Sequence, residues 1–243
     1  MSQSLSGKVA IITGGGSGIG FAIAQRFASL GATPVIVGRS RQPLDEAVSK
    51  LGHGARAVVA DVSDDDDLRT LFEKEERVDI LVTCAGGAIF GPIEKVTPED
   101  VRTLFATRVF GQMSAAHYAV PRMKEGGSII FCSGVGDIVG LVPYSAGSAV
   151  DGAVNALARS LAVELGGRGI RVNAVSPGVI NGTGIKPEKG TEYVEDFVAR
   201  AMRAVPLACS GSAEDVADAA SYFATSPYVT GQVIEVDGGW AAV

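Results

Sequence analysis

Apolar and polar positions change their period along this chain in a regular way. Short apolar runs of strand length occur at 8–13, 34–37, 55–60, 79–82, 128–131, 170–175 and 233–236. Between them, apolar residues recur every three or four positions, as one face of a helix requires. Helical periods lie at 21–30, 43–51 and 97–123, then through Ala153, Val154, Leu157, Leu161 and Leu165, and at 195–204 and 213–225. The run Asp64-Asp65-Asp66-Asp67 opens a further helix, where acids cap free N–H groups and complement the dipole. Strands alternating with helices predict an α/β fold: a doubly wound parallel sheet covered on both faces, a three-layer αβα sandwich. With no repeat, linker or change of composition, residues 1–243 read as one domain.

One turn stands out. The apolar run Val9-Ala10-Ile11-Ile12 leads into Thr13-Gly14-Gly15-Gly16-Ser17-Gly18-Ile19-Gly20, and a helical pattern follows at once. Strand, glycine turn and helix in that order make a dinucleotide site. Gly14 lets the backbone leave the strand sharply, Gly18 lets phosphates approach the backbone, and Gly20 allows close helix–sheet packing. Gly16, Ser17 and Ile19 complete the turn, and the phosphates face the free N–H groups of the helix start. At the end of the second strand an acid would hold the free ribose hydroxyls of NAD. Gly38 stands in that place, followed by Arg39-Ser40-Arg41. An arginine fork suits a ribose phosphate, so NADP(H) is favoured over NAD(H); the alternative is that these arginines are solvated loop charges.

Composition narrows the remaining choices. A net charge of −6 without a basic cluster excludes a nucleic-acid surface, and no apolar run is long enough to span a bilayer. The N-terminus lacks the pattern of a secretory signal. Cys84, Cys132 and Cys209 lie far apart in the chain and read as free thiols in a reducing cytoplasm. His53 and His117 sit in no motif and read as surface or packing residues. No ligand spacing points to a metal. The glycine-rich segment 132–144 is expected at the active-site edge of the sheet. The stretch Asn181 to Tyr193, with three glycines and a proline, reads as a mobile loop of a substrate region near 181–204.

Several spaced motifs together resemble the short-chain dehydrogenase/reductase family. They are Thr13-Gly14-x-x-x-Gly18-x-Gly20, Asp61-Val62, Ala85-Gly86, the run from Ile170 through Pro177-Gly178, and Val229-Thr230-Gly231-Gln232 with Val236-Asp237-Gly238-Gly239. The resemblance implies a Rossmann-type sheet of about seven strands, a nicotinamide cofactor held also by Pro177, Gly178 and Ile180, and a homotetramer or homodimer. It also implies an Asn, Ser, Tyr and Lys set, with the lysine four residues after the tyrosine.

Here the chain departs from the family. Ser133 matches the serine, Arg108 takes the asparagine's place, and Tyr144 is the tyrosine candidate, yet Ser148 stands four residues on. Reading back without a gap from the helix that carries Asn155 to Glu164 puts the tyrosine place at Gly147 and the lysine place at Asp151. Neither register supplies a lysine. Bringing a tyrosine from about 10 to about 7 requires roughly 4 kcal/mol, and an aspartate works against it. Arg108 helps only if its side chain reaches the site.

The reading is an NADP(H)-dependent oxidoreductase with an atypical proton path. It acts on a small, mainly apolar carbonyl, alcohol or imine, with Ser133, Tyr144 and Arg108 as its catalytic set. The alternative is a catalytically degenerate cofactor-binding protein, a sensor or partner subunit. A non-redox lyase of the halohydrin dehalogenase kind is disfavoured, because those relatives have lost the nucleotide glycines that this chain keeps.

Overall fold

The computed structural model describes residues 4–52, 54–181 and 187–243, the side chains of 187 and 188 excepted. Seven strands form one parallel sheet: β1 (Val9–Thr13), β2 (Thr33–Gly38), β3 (Arg56–Val59), β4 (Val78–Thr83), β6 (Met123–Cys132), β7 (Arg171–Pro177) and β9 (Val233–Val236). Their order is β3-β2-β1-β4-β6-β7-β9. Two short strands, β5 (Ala88–Ile89) and β8 (Pro187–Lys189), pair with each other beside it. The helices are α1 (Gly18–Ser29), α2 (Arg41–Leu51), α3 (Asp65–Glu73), α4 (Pro98–Phe105), α5 (Gly111–Ala119), α6 (Ser145–Gly166), α7 (Val194–Ala204) and α8 (Ala213–Thr225).

The sheet is buried on both faces, so its strands read as unbroken apolar runs rather than as alternations. Ile11, Val35, Leu81, Ile129 and Val172 turn toward α3 to α6, which contribute Leu68, Phe72, Leu104, Ala116 and Val154. Ile12, Ile36, Val82, Ile130 and Val175 turn the other way, toward Ile23 and Phe27 of α1, Leu44 of α2 and Phe223 of α8. The chain winds outward from β1 to β3, then returns across β1 to β4 and proceeds in the opposite direction. The connections leaving β1 and β4 therefore diverge, and a crevice opens at the C-terminal ends of those strands.

Three elements differ from the sequence reading. The helix expected over 97–123 is divided by a π segment, Ala106–Phe110, between α4 and α5. Strand β6 begins at Met123 rather than at 128; Lys124, Glu125 and Gly126 are exposed, and the pairing is irregular, with a register shift between Val78 and Ile80 of β4. An exposed, bulged extension carries no apolar pattern to betray it. In the loop expected to be mobile, residues 182–186 lie outside the described residues, but β8 pairs in parallel with β5, and the Phe90 N–H donates to the Lys189 carbonyl at 2.9 Å. The Lys189 ammonium also binds the Asp100 carboxylate, which closes the capping box of α4 with Thr97. Pairing through the backbone alone leaves little trace in composition.

The acidic run behaves as expected. Asp64 caps α3, accepting from the Asp66 and Asp67 N–H groups at 2.9 and 3.2 Å. Among the described residues no cluster of His, Cys, Asp or Glu is arranged to hold a metal. His117 is exposed on α5, edge-on to the Tyr118 ring, and His53 lies outside the described residues.

Candidate active site

A cavity of about 590 Å³ lies over the crevice. At one end it is walled by backbone. Gly14 has φ +70°, and a Cβ there would come within 2.8 Å of the Cys84 carbonyl carbon, so only a bare Cα lets the turn after β1 cross the end of β4. A Cβ on Gly20 would meet the Gly14 oxygen at 2.4 Å. Gly20 therefore seats α1 against the glycine turn itself, a closer constraint than helix on sheet. The α1 N-terminus has no side-chain cap from Ser17 and no acid in its first turn. Its free N–H groups remain directed at the cavity, an arrangement that fits a bound phosphate.

Of the residues expected to hold a cofactor, Gly14, Ser17, Gly18, Ile19, Gly20, Arg39, Asp61, Val62, Ala85, Gly86, Pro177, Gly178 and Ile180 line this cavity. Gly16 and Ser40 do not. Gly16 is turned toward α2, where a Cβ would lie 3.4 Å from Leu44 Cδ2, and Ser40 is the exposed N-cap of α2. The two arginines after β2 also separate. Arg41 is bound to Asp45 one turn along α2 at 2.9 Å, whereas Arg39 lies on the cavity wall and makes no salt bridge among the described residues. Burial pushes the Asp61 carboxyl up, but bonds from the Ser63 hydroxyl and N–H, with the Arg39 charge, hold it below the usual range.

The other end of the cavity is built from side chains. Arg108, in the π segment, is only 9 % exposed. Its Nη1 donates to the Tyr144 hydroxyl at 3.0 Å, and its Nη2 donates to the Ser133 carbonyl at 3.1 Å and to Asp151 Oδ1 at 2.8 Å. The side chain gets there by passing over Gly86, where a Cβ would lie 2.4 Å from Arg108 Cγ. Asp151 comes from α6 and is 1 % exposed. Its Oδ2 has no side-chain partner and faces Gly134 and Gly136, either of whose Cβ atoms would fall 2.8 Å from it. Ser133 directly follows β6 and donates its hydroxyl to the Val175 carbonyl at 3.3 Å, a long bond that a better acceptor could replace.

Tyr144 precedes α6, and its ring bends back over that helix. A Cβ on Gly147 would lie 2.0 Å from Tyr144 Cζ. The ring thus fills the volume above Gly147, which in the ungapped register is the tyrosine place. Tyr144 brings its ring to that place from three residues upstream. Burial raises the Tyr144 pKa; the Arg108 charge opposes this and Asp151 adds to it. Burial likewise raises that of Asp151 against the pull of Arg108. Burial alone would lower the Arg108 pKa, but its two partners raise it further, so it remains a fixed cation.

Sequence reasoning missed the roof of the cavity. Phe90, Leu141, Phe197 and Trp240 line it together with Tyr144. The Phe90 ring centroid is 5.0 Å from those of both Tyr144 and Phe197, and Phe197 is 6.2 Å from Trp240. These aromatics come from four distant parts of the chain, and no local pattern marks them.

A family model described as enoyl-(acyl carrier protein) reductase matches residues 14–241. The chain belongs to the short-chain dehydrogenase/reductase family. It is 41 % identical to an uncharacterized oxidoreductase of Methylorubrum extorquens, over 98 % of this chain and 99 % of that one. It is 37 % identical to oxidoreductase asL5 of Sarocladium schorii, over 99 % and 98 % of the two chains. A solved short-chain dehydrogenase/reductase family protein superposes with a TM-score of 0.88 at 33 % identity, covering both chains fully. The protein is therefore an oxidoreductase of the short-chain type, and its family implies a nicotinamide cofactor.

Proposed function

We propose that this short-chain oxidoreductase uses NADP(H) to reduce a small, mainly apolar carbonyl or imine, or to oxidise the matching alcohol. In its proton path Arg108 and Tyr144 stand in for the usual Tyr-x-x-x-Lys pair. The observation that carries the reading is the 3.0 Å bond from Arg108 to the Tyr144 hydroxyl.

A bound nicotinamide supplies or accepts the hydride. Because Arg108 donates to the Tyr144 oxygen, the proton of that hydroxyl is free to point at a substrate oxygen or nitrogen. When it leaves, the phenolate forms beside a guanidinium already in place, with no reorganisation needed. Arg108 stays protonated and relays nothing, so the phenolate recovers its proton from solvent. Ser133 exchanges its long bond to Val175 for one to the substrate oxygen and orients it. Asp151 balances Arg108, which leaves the site with no net charge where a lysine would leave a positive one. A neutral site does not repel an iminium, and this supports an imine beside a carbonyl in the substrate class. The aromatic roof supports an apolar body for that substrate.

Gly38 and Arg39, which makes no salt bridge among the described residues, support NADP(H) over NAD(H). Calorimetric titration with NADPH and NADH tests this directly: NADPH binds tightly and NADH weakly. A screen of carbonyls and imines with NADPH then tests catalysis. Tight binding with no turnover across a broad panel favours the second reading, a cofactor-holding sensor or partner subunit. We take residues 1–243 as a single domain of a cytoplasmic homotetramer or homodimer, a view supported by free cysteines and by the family. No helix among the described residues is long and apolar enough to cross a membrane.

A further inference from the structure

Cys84 and Cys132, 48 positions apart in the chain, end neighbouring strands of the sheet. Thr83 of β4 is the register partner of Phe131 of β6, and each cysteine is the next residue on its strand. Both side chains pack on the same face, against the cluster formed with α1, α2 and α8. Both residues also line the cavity, and neither is fully buried. We propose that Cys84 and Cys132 form a reversible dithiol–disulfide site in the cavity floor. In it a peroxide oxidises Cys132 first, and Cys84 then closes the disulfide.

The geometry requires little movement. Adjacent strands run about 4.7–4.9 Å apart, within the Cα separation that a disulfide bridges. The two strand ends are already held in place from the opposite face. The Thr83 hydroxyl donates to Gln112 Oε1 at 2.6 Å, and Gln112 Nε2 donates to the Cys132 carbonyl at 3.1 Å. The Cys84 N–H is bonded to the Thr13 carbonyl at 3.1 Å.

The environment separates the roles of the two thiols. The Arg108 guanidinium donates to the carbonyl of Ser133, the residue after Cys132, so a fixed cation lies beside that thiol. The neighbouring Cys84 and the Arg108 charge lower the Cys132 pKa, against burial and the Asp151 charge. The neighbouring Cys132, with burial, pushes Cys84 well above the ordinary thiol range. The cation stands beside Cys132 and favours its thiolate, and the thiolate is the nucleophile.

The chemistry balances with hydrogen peroxide as oxidant. The Cys132 thiolate attacks one peroxide oxygen; the O–O bond breaks, and with one proton the products are a sulfenic acid and water. The Cys84 sulfur then attacks the Cys132 sulfur, the S–O bond breaks, and the Cys84 proton leaves with the hydroxyl as a second water. A dithiol reductant reverses the second bond by exchange.

The test uses the full chain carrying Cys209→Ser, because Cys209 is exposed and would otherwise cross-link chains. After hydrogen peroxide treatment, non-reducing peptide mapping is expected to show one peptide pair joined through Cys84 and Cys132, lost again on adding dithiothreitol. Adding Cys84→Ser is expected to leave a sulfenic acid at Cys132 that dimedone traps; Cys132→Ser is expected to leave Cys84 unlabelled at the same dose. The proposal is overturned if both thiols still alkylate fully after peroxide in protein of native circular dichroism. It is overturned equally if only intermolecular disulfides form, or if dimedone marks Cys84 as readily as Cys132.

Discussion

The two ends of the cavity are made of different materials. At the nucleotide end, the contacts on offer come from backbone: a glycine turn, an uncapped helix start and the ends of strands. At the proton end they come from side chains on separate elements, Arg108 from the π segment, Ser133 from just after β6, and Tyr144 and Asp151 from around the start of α6. Backbone geometry fixes residue types in place, since a Cβ at Gly14 or Gly20 would strike main-chain atoms. Side chains only have to deliver an atom to a point, and more than one position in the chain can deliver it. The first end therefore keeps its sequence pattern, while the second can be rebuilt around the same space.

The comparison breaks most visibly at Asp151. Asp151→Ala strands the Arg108 charge in a buried site and is expected to destabilise the fold by about 3–5 kcal/mol in a denaturant titration. In the Arg108→Ala and Asp151→Ala double-mutant cycle, the combined loss should be smaller than the sum of the single losses, by about 0.5–3 kcal/mol. Additive losses would show that the two residues do not act as a pair.

Tyr144→Phe is expected to lower turnover by about 10²–10⁴-fold while leaving NADPH binding unchanged by calorimetry. Gly147→Ala should have a similar effect without touching the hydroxyl, because its methyl group displaces the ring. The pH profile sharpens the assignment. Reduction needs the protonated phenol, and burial raises the Tyr144 pKa above its free value of about 10. The reduction rate should thus stay flat through neutral pH and fall only above that value; a fall near pH 7 would point to a different acid.

At the nucleotide end, Arg39→Ala is expected to weaken NADPH binding by roughly 10–100-fold and to leave NADH binding as it was. Equal loss for both cofactors would remove the phosphate-reading role.

The smallest effect serves as a control near the N-terminal end of the central strand β4, away from the crevice. Asp79 accepts from the Val9 N–H at 2.9 Å and from Arg77 at 2.7 Å. Burial pushes its carboxyl up, but these bonds and the nearby Lys8 and Arg77 charges hold it below the usual carboxylate range. A depressed pKa contributes stability that is present above the unfolded value, about 3.9, and is lost as pH falls through the folded one. Thermal melts of Asp79→Asn should show a shallower loss of stability on acidification, with cofactor binding at pH 7 unaltered.

These differences also explain how far the sequence could be read. The seven main strands, the helix at Asp64 and the wall from Gly14 to Gly20 were legible, because period, caps and glycines are local signals. Gly16 was over-assigned, since its spacing inside the turn does not say which way its Cα faces. Asp151 does raise the tyrosine pKa, as its charge implies, but its pairing was not legible. Taken alone, it is the wrong charge beside a tyrosine, and only its bond to Arg108, 43 residues earlier, turns it into a counter-ion for the right one. The displaced ring of Tyr144 and the aromatic roof depend on packing between remote segments, which no periodicity records.

The π segment at Ala106–Phe110 has a consequence for how this region can change over time. Each residue advances a helix by about 100°, so a turn that holds an extra residue shifts the phase of everything after it. Here α4 presents Leu104 and α5 presents Ala115, Ala116 and Ala119 to the same core, while Arg108 between them turns to the crevice. Deleting a single residue in this stretch would restore an even winding and swing one side of it away from its contacts. The number of residues in this stretch is thus as constrained as Arg108 within it, because the phase of both flanking helices depends on it.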